Sequence, residues 1–256
     1  MQEPFFPNAA PDDPAALYLD LIKRCLTNWI YADVEARLVP QQPFDARRRG
    51  EGRDWPPTAH TMIGLRRLSN LQQCVETVLR DGIAGDLLEA GVWRGGAAIL
   101  MRAVLQVHGV KDRFVWLADS FAGLPPPNPG KYPHDAGLDL SGYAQLAVSA
   151  DQVRENFARY GLLDEHVRFL PGWFRDTLPN APVKRLALLR LDGDLYESTM
   201  DTLTHLYPKL SVGGFLIVDD YAVPACHRAV HDYREAHGIS DPLKEVDWTG
   251  VYWRRS

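Results

Sequence analysis

Five short apolar runs, each broken off by glycine or an acid, constrain this chain more than any other feature. They are Asp86 to Ala90, Phe114 to Ala118, His166 to Leu170, where proline stands before the glycine, Leu186 to Leu191 and Phe215 to Val218. Runs of four to six residues are too short for buried helices and have the length of strands buried on both faces. Stretches of helical period lie between or after them, at Ala97 to Val107, Ala150 to Tyr160, Thr199 to Leu210 and Pro224 to Ala236. Strands alternating with helices predict an α/β fold, a parallel sheet with helices on both faces. Two last strands, Lys244 to Trp248 and Val251 to Arg254, flank the turn Thr249-Gly250 and add one antiparallel member, for seven strands in all.

The segment before this core reads differently. Apolar residues recur at helical spacing from Ala15 to Tyr31, behind Asp12, Asp13 and Pro14, which suit a helix start. Pro40 to Pro57 has no sustained period, and we expect a mobile loop there, a lid over the site, with Arg47 to Arg49 as a solvated charge run or, with Trp55, a contact for a ligand. A further helix spans Thr61 to Leu79 and ends at Asp81-Gly82. The expected division is an N-terminal helix and lid over residues 1–60 and a core domain over 61–256. Gly123 to Tyr143 is a proline-rich insertion.

The strand ends carry the chemistry. Asp192 follows the fourth run, and Asp219 with Asp220 follows the fifth. Carboxylates gathered at the carboxyl ends of parallel strands lie where ligands bind in such sheets, and hard divalent cations such as Mg²⁺ prefer oxygen ligands. We therefore expect one metal site of Asp192, Asp219 and Asp220, with Asp194 as the proton acceptor beside it. Taken singly, either segment also reads as a turn or a helix cap.

The first run ends in Glu89-Ala90-Gly91-Val92-Trp93-Arg94-Gly95-Gly96, an acid, a glycine turn and a helix start. Neither a phosphate loop nor a Gly-x-Gly-x-x-Gly signature is present. An acid just before the turn suits a cationic ligand such as the amino-acid end of S-adenosylmethionine, with Gly91, Val92 and Trp93 as backbone and wall. Asp119, followed by Ser120 at the end of the second run, suits the two hydroxyls of a ribose. Gly172 and Trp173 after the third run offer an aromatic to an adenine, or Trp173 is simply core. His60 reads as a second base, a substrate contact or a structural residue. His227 and His231 are four apart and lack a third ligand at suitable spacing, and His237 follows on the same helix.

Composition removes several classes. With 28 Lys and Arg against 33 Asp and Glu, and no basic block, nucleic acid is not an expected partner. The 46% hydrophobic content is enough for a sizeable core, and no run of eighteen apolar residues or leader pattern appears from Met1 to Pro11. Cys25, Cys74 and Cys226 are odd in number and far apart, which fits free thiols in a reducing compartment; the expectation is a cytoplasmic protein with no membrane partner.

Several segments together resemble the macrocin O-methyltransferase family, which includes the mycinamicin and novobiocin sugar O-methyltransferases. They are His60 to Gly64, Glu89 to Gly96, Ala118 to Phe121, Tyr160 to Leu163, Phe169 to Phe174, Asp192 to Asp194, Asp219 to Tyr221 and Gly250 to Arg255, spread over about Leu17 to Arg255. The resemblance implies a class I, Rossmann-like S-adenosylmethionine-dependent methyltransferase fold, Mg²⁺ dependence, and methylation of a deoxysugar hydroxyl of a natural product in antibiotic biosynthesis. It implies Asp192, Asp219 and Asp220 as metal ligands, Asp194 as general base, Glu89 and Asp119 on the cofactor, and Met62 near the methyl donor. It also implies a homodimer, for which Trp29 and Tyr31 are contact candidates. Val34 to Trp55 and Pro125 to Ala147, expected to cover the glycoside acceptor, depart from the family pattern. Two rivals stand beside this reading: a methyltransferase of a small phenolic diol, and a non-catalytic cofactor-binding assembly partner.

Overall fold

The computed structural model describes residues 13–34 and 42–256; residues 1–12, with Asp12 of the expected helix start, and 35–41, with the first two residues of the expected lid, lie outside the described residues. A seven-stranded sheet runs in the order β3-β2-β1-β4-β5-β7-β6. Its members are β1 (Asp86–Ala90), β2 (Val115–Asp119), β3 (Val167–Pro171), β4 (Leu186–Leu191), β5 (Leu210–Val218), β6 (Lys244–Glu245) and β7 (Val251–Arg254). The first five are parallel, while β7 runs antiparallel to both β5 and β6. The fold class read from the run spacing is therefore present.

Alternation along each strand divides the core. Leu87, Leu117, Leu188, Phe215 and Ile217 pack on one face with α1 (Pro14–Leu26), α3 (Gly64–Arg80), α4 (Gly96–Val107) and α5 (Ala150–Arg159). Leu88, Ala118, Leu189, Leu216 and Val218 pack on the other with α7 (Tyr196–Leu206) and α8 (Pro224–Ala236). Successive side chains point to opposite faces, so an unbroken apolar run is what a sheet covered on both sides requires.

Several boundaries differ from the expectation. The first helix ends at Leu26, where Thr27 turns its hydroxyl back onto the Lys23 carbonyl 2.8 Å away and the chain leaves the helix through Asn28 at φ 49°. β5 begins five residues early because the Gly213-Gly214 pair, with Gly213 at φ 81°, carries a register shift against β4 that keeps Leu210 in the sheet. α7 starts three residues early at Tyr196, and the expected strand at Lys244 to Trp248 keeps only its first two residues, since Asp247 draws Thr249 and Gly250 into a turn.

The largest correction falls in the segment from Pro40 to Pro57. It contains a short helix, α2 (Ala46–Gly50), capped by Asp45, and Arg49 is not a solvated charge: it is buried. Its guanidinium meets Asp54 at 2.6 Å, Asp33 at 2.8 Å and the Thr27 carbonyl at 2.7 Å. Charged groups leave water only when paired in this way. No described helix is long and apolar enough to cross a membrane.

Candidate active site

One cavity of about 510 Å³ opens at the carboxyl edge of the parallel strands. The edge is held by a ladder continuing one step past β1, β3, β4 and β5. The Gly91 N–H donates to the Ala118 carbonyl, Gly172 to Asp119, Asp192 to Ala90 and Asp219 to Leu191, all at 2.8–2.9 Å. Backbone hydrogen bonds thus fix where each strand-end residue starts, before any side chain contributes. Gly91 is needed for closeness: a Cβ there, at φ 87°, would fall 1.6 Å from the Asp192 carbonyl oxygen.

Asp192, Asp219 and Asp220 each present an oxygen within 4.8 Å of the others, and they form the one such metal-capable group among the described residues. Asp194 enters the same cluster through its backbone. Its φ of 55° lies in the left-handed region, and its N–H donates to an Asp220 carboxylate oxygen at 3.0 Å. Burial first, then the charges of Asp192 and Asp219, pushes the Asp194 carboxyl up to about 7. Burial, followed by Asp194, Asp192 and Asp219, raises Asp220 well above the carboxylate range. A nearby cation acts in the opposite direction.

Two arginines that the sequence reading passed over organise these acids. Glu89 and Arg190 are register partners on β1 and β4, and the buried Arg190 guanidinium lies 2.5 Å from Glu89, 2.9 Å from Asp192 and 2.6 Å from Asp219. The last approach is an ion pair whose angles fall outside hydrogen-bond geometry. Arg67, on α3, bridges the other Asp219 oxygen and Asp247, and reaches the Gly52 carbonyl at 3.3 Å. Arg190 sat unremarked inside an apolar run, although a lone arginine in a fully buried strand is itself a signal of a paired acid.

The acids still outnumber the bases. Glu89, Asp192, Asp194, Asp219, Asp220 and Asp247 stand against two guanidinium groups, those of Arg67 and Arg190, among the described residues, so the cluster carries excess negative charge whenever its raised carboxyls are ionised. That donor set, all oxygen, fits a hard divalent cation. One Glu89 oxygen is buried with no hydrogen-bond partner, and burial pushes this carboxyl up to about 8 against the lowering effect of Arg190. An acceptor without a donor fits an incoming ammonium.

Of the other residues singled out by sequence, Met62, Val92, Trp93, Asp119, Ser120 and Trp173 line this cavity. Asp119 is anchored by the Val92 and Phe121 N–H groups, each at 2.7 Å, and burial raises its carboxyl against those bonds. Gly172 is not on the wall; it holds the turn, at φ 130°, that delivers Trp173. The His227 and His231 rings lie tilted with centroids 4.4 Å apart, the Tyr221 hydroxyl meets His231 Nε2, and no third metal ligand joins them among the described residues.

The covering segments complete the wall. Trp55 stacks on Tyr143 with centroids 6.1 Å apart, joining the α2 segment to the proline-rich insertion. The Trp93 indole donates to the Gln145 carbonyl at 2.8 Å. Asp135 was missed: fully buried, it accepts from the Tyr196 and Glu197 N–H groups at 2.6 and 3.2 Å, capping α7 directly after the Asp192 to Asp194 loop.

Known proteins resemble this chain along nearly its whole length. The model of the family described as macrocin-O-methyltransferase (TylF) matches residues 15–255. Mycinamicin III 3''-O-methyltransferase of Micromonospora griseorubida is 55% identical over 96% of this chain and 99% of its own length. The 8-demethyl-8-(2,3-dimethoxy-alpha-L-rhamnosyl)-tetracenomycin-C 4'-O-methyltransferase of Streptomyces olivaceus is 58% identical, covering 96% and 95%. The solved structure of the O-methyltransferase NovP superposes with a TM-score of 0.91 at 54% identity, over 94% of this chain and 99% of that one.

Proposed function

The chain belongs to the macrocin O-methyltransferase family, and from that premise we propose that it methylates a deoxysugar hydroxyl of a natural-product glycoside, with S-adenosylmethionine as donor and Mg²⁺ as metal. The observation that carries this reading is the strand-edge cluster, in which three oxygen ligands, a fourth carboxylate and the half-satisfied Glu89 share one cavity. Asp192, Asp219 and Asp220 would hold Mg²⁺, which when bound makes an alcohol easier to deprotonate. S-adenosylmethionine supplies an electrophilic methyl group.

The protein's own part is to collect, orient and deprotonate. Glu89 offers its free oxygen to the ammonium of the cofactor, and Asp119, held rigid by two backbone N–H groups, offers its remaining lone pairs to ribose hydroxyls. Asp194 takes the proton from the acceptor hydroxyl at a carboxylate oxygen, a role that contributes about 10² to 10⁴-fold. The Trp55 and Tyr143 pair closes over the acceptor side and excludes water. Arg190 and Arg67 keep the acids from repelling one another apart, while leaving the cluster negative enough to draw a cation.

The two relatives are named for different positions, 3'' and 4', on different scaffolds at nearly equal identity to this chain, so overall likeness does not choose among acceptors. We assign the enzyme to the cytoplasm as a homodimer, supported by free cysteines and by the exposed apolar residues Leu17, Leu21, Ile30 and Tyr31 on and after α1. The test is methyl transfer from labelled S-adenosylmethionine to a panel of deoxysugar glycosides and catechols, with and without EDTA. Loss on chelation and recovery with Mg²⁺ is expected on a glycoside. Turnover indifferent to EDTA removes the metal role, and turnover on catechols alone moves the acceptor to a phenolic diol.

A further inference from the structure

Resting on this reading of the donor, we propose that His60 binds the carboxylate at the amino-acid end of the cofactor and that Tyr160 is its positioning residue. The cavity would then read a zwitterion from two sides, Glu89 taking the positive group and His60 the negative one.

The main chain places His60 at the glycine turn. Its N–H donates to the Leu26 carbonyl at 2.9 Å, and its carbonyl accepts from the Gly96 N–H at 3.0 Å, at the first residue of α4. Gly96 has no room for a side chain: a Cβ there would lie 2.4 Å from the His60 oxygen and 2.7 Å from the Thr61 Cβ. The loop before α3 therefore lies directly on the turn that follows Glu89, and His60 lines the same cavity as Glu89 and Gly91.

The side chain is set by one contact. His60 Nδ1 meets the Tyr160 hydroxyl at 2.8 Å, with the two rings edge to face at 5.4 Å, while Nε2 has no protein partner among the described residues. Burial raises Tyr160, so it remains a hydroxyl able to donate. Burial, then the Arg94 and Arg159 charges, pushes His60 down to about 4, so the ring is neutral and carries one proton. When Tyr160 donates to Nδ1, that proton sits on Nε2, which becomes a donor only. A neutral donor backed by two guanidinium charges suits an anion and disfavours the ammonium, which the acidic wall attracts.

The test is isothermal titration calorimetry of the full chain with S-adenosylmethionine and with its decarboxylated analogue, which keeps the sulfonium and the amine. His60→Leu should weaken S-adenosylmethionine by about 10-fold or more, the value of a hydrogen bond to a charged group, and change the analogue by less than about twofold. His60→Gln, which returns an N–H donor, should recover part of the loss. Tyr160→Phe should show a smaller loss of the same selectivity; melting temperatures identify any variant that fails to fold, and these two milder changes then carry the test. Equal weakening of both ligands, or no weakening, overturns the assignment. If the wild-type chain binds neither ligand, the donor reading under Proposed function falls with it; if it binds both and the His60 variants do not discriminate, only the His60 assignment falls.

Discussion

The strand-edge acid wall and the segments that cover it are built on different physical terms. Glu89, Asp192 and Asp219 are placed by the parallel-strand ladder and then locked by Arg190 or Arg67, and Asp194 joins them through its N–H to Asp220. The covering segments, the α2 region and the proline-rich insertion, are joined to the rest by side-chain contacts and not by strand pairing: Arg49 to Asp33 and Thr27, Trp248 to the Glu51 carbonyl, Trp93 to Gln145, Asp135 to the start of α7. On the proposed function, the chemistry that depends on sub-ångström placement falls to the sheet frame, and acceptor contacts fall to segments whose sequence can change without moving that frame. Near-equal likeness to relatives with different acceptors accords with that division.

The sharpest way to break the comparison is to remove chemistry from the wall. Asp194→Ala should lower turnover by about 10² to 10⁴-fold and Asp192→Ala by at least as much, with the far-ultraviolet circular dichroism of the wild type retained. Near-wild-type methyl transfer in either would detach that residue from its role. Next in size is Arg190→Met, which leaves Glu89, Asp192 and Asp219 facing one another in a buried site. It should cost about 3–5 kcal/mol in urea unfolding, and an unchanged midpoint would mean the acids are protonated or solvated instead.

Changes in the cover should be smaller and different in kind. Trp55→Ala should raise the acceptor KM by roughly 3- to 10-fold through the lost ring contact with Tyr143, leaving the cofactor KM alone. Asp135→Asn removes one acceptor from the α7 cap; about 1 kcal/mol of stability should be lost, with a modest fall in kcat because the cap adjoins the Asp194 loop. Should either change affect cofactor and acceptor alike, the wall and the cover are one unit.

The last effect is one of pH. His60 is held down to about 4 in the folded protein, below its ordinary 6.5, so the unfolded chain takes up the proton first as pH falls. The stability associated with the neutral ring is complete above pH 6.5 and is lost as pH drops towards 4. Subtracting the unfolding free energies of His60→Gln from those of the wild type isolates this slope from that of the carboxylates. A flat difference over that window would mean the ring is solvated.

Much of this was open to reading along the chain. Four of the five runs became central parallel strands because a strand covered on both sides needs apolar residues on both faces, a purely local demand; β3, at the sheet edge, leaves Arg168 exposed. Asp192, Asp219 and Asp220 were legible because acids that end an apolar run at a strand's carboxyl end have few places to go but the ligand edge. The α2 segment was not, since its order comes from Arg49 meeting Asp33 and Asp54, whose charges look solvated in one dimension. Asp135, deep in a proline-rich insertion, carries no local sign of the helix it caps 61 residues later.

The five parallel strands, the helices between them and the acids at the strand ends were determined by the sequence alone, because period and run length act within a few residues. Which charges pair, Arg190 with Glu89 across 101 residues, Arg67 with Asp219 across 152, His60 with Tyr160 across 100, was decided only by the tertiary structure. Pairing depends on strand register and on which helix covers which face. Those follow from the packing of the whole core, and no local window contains them.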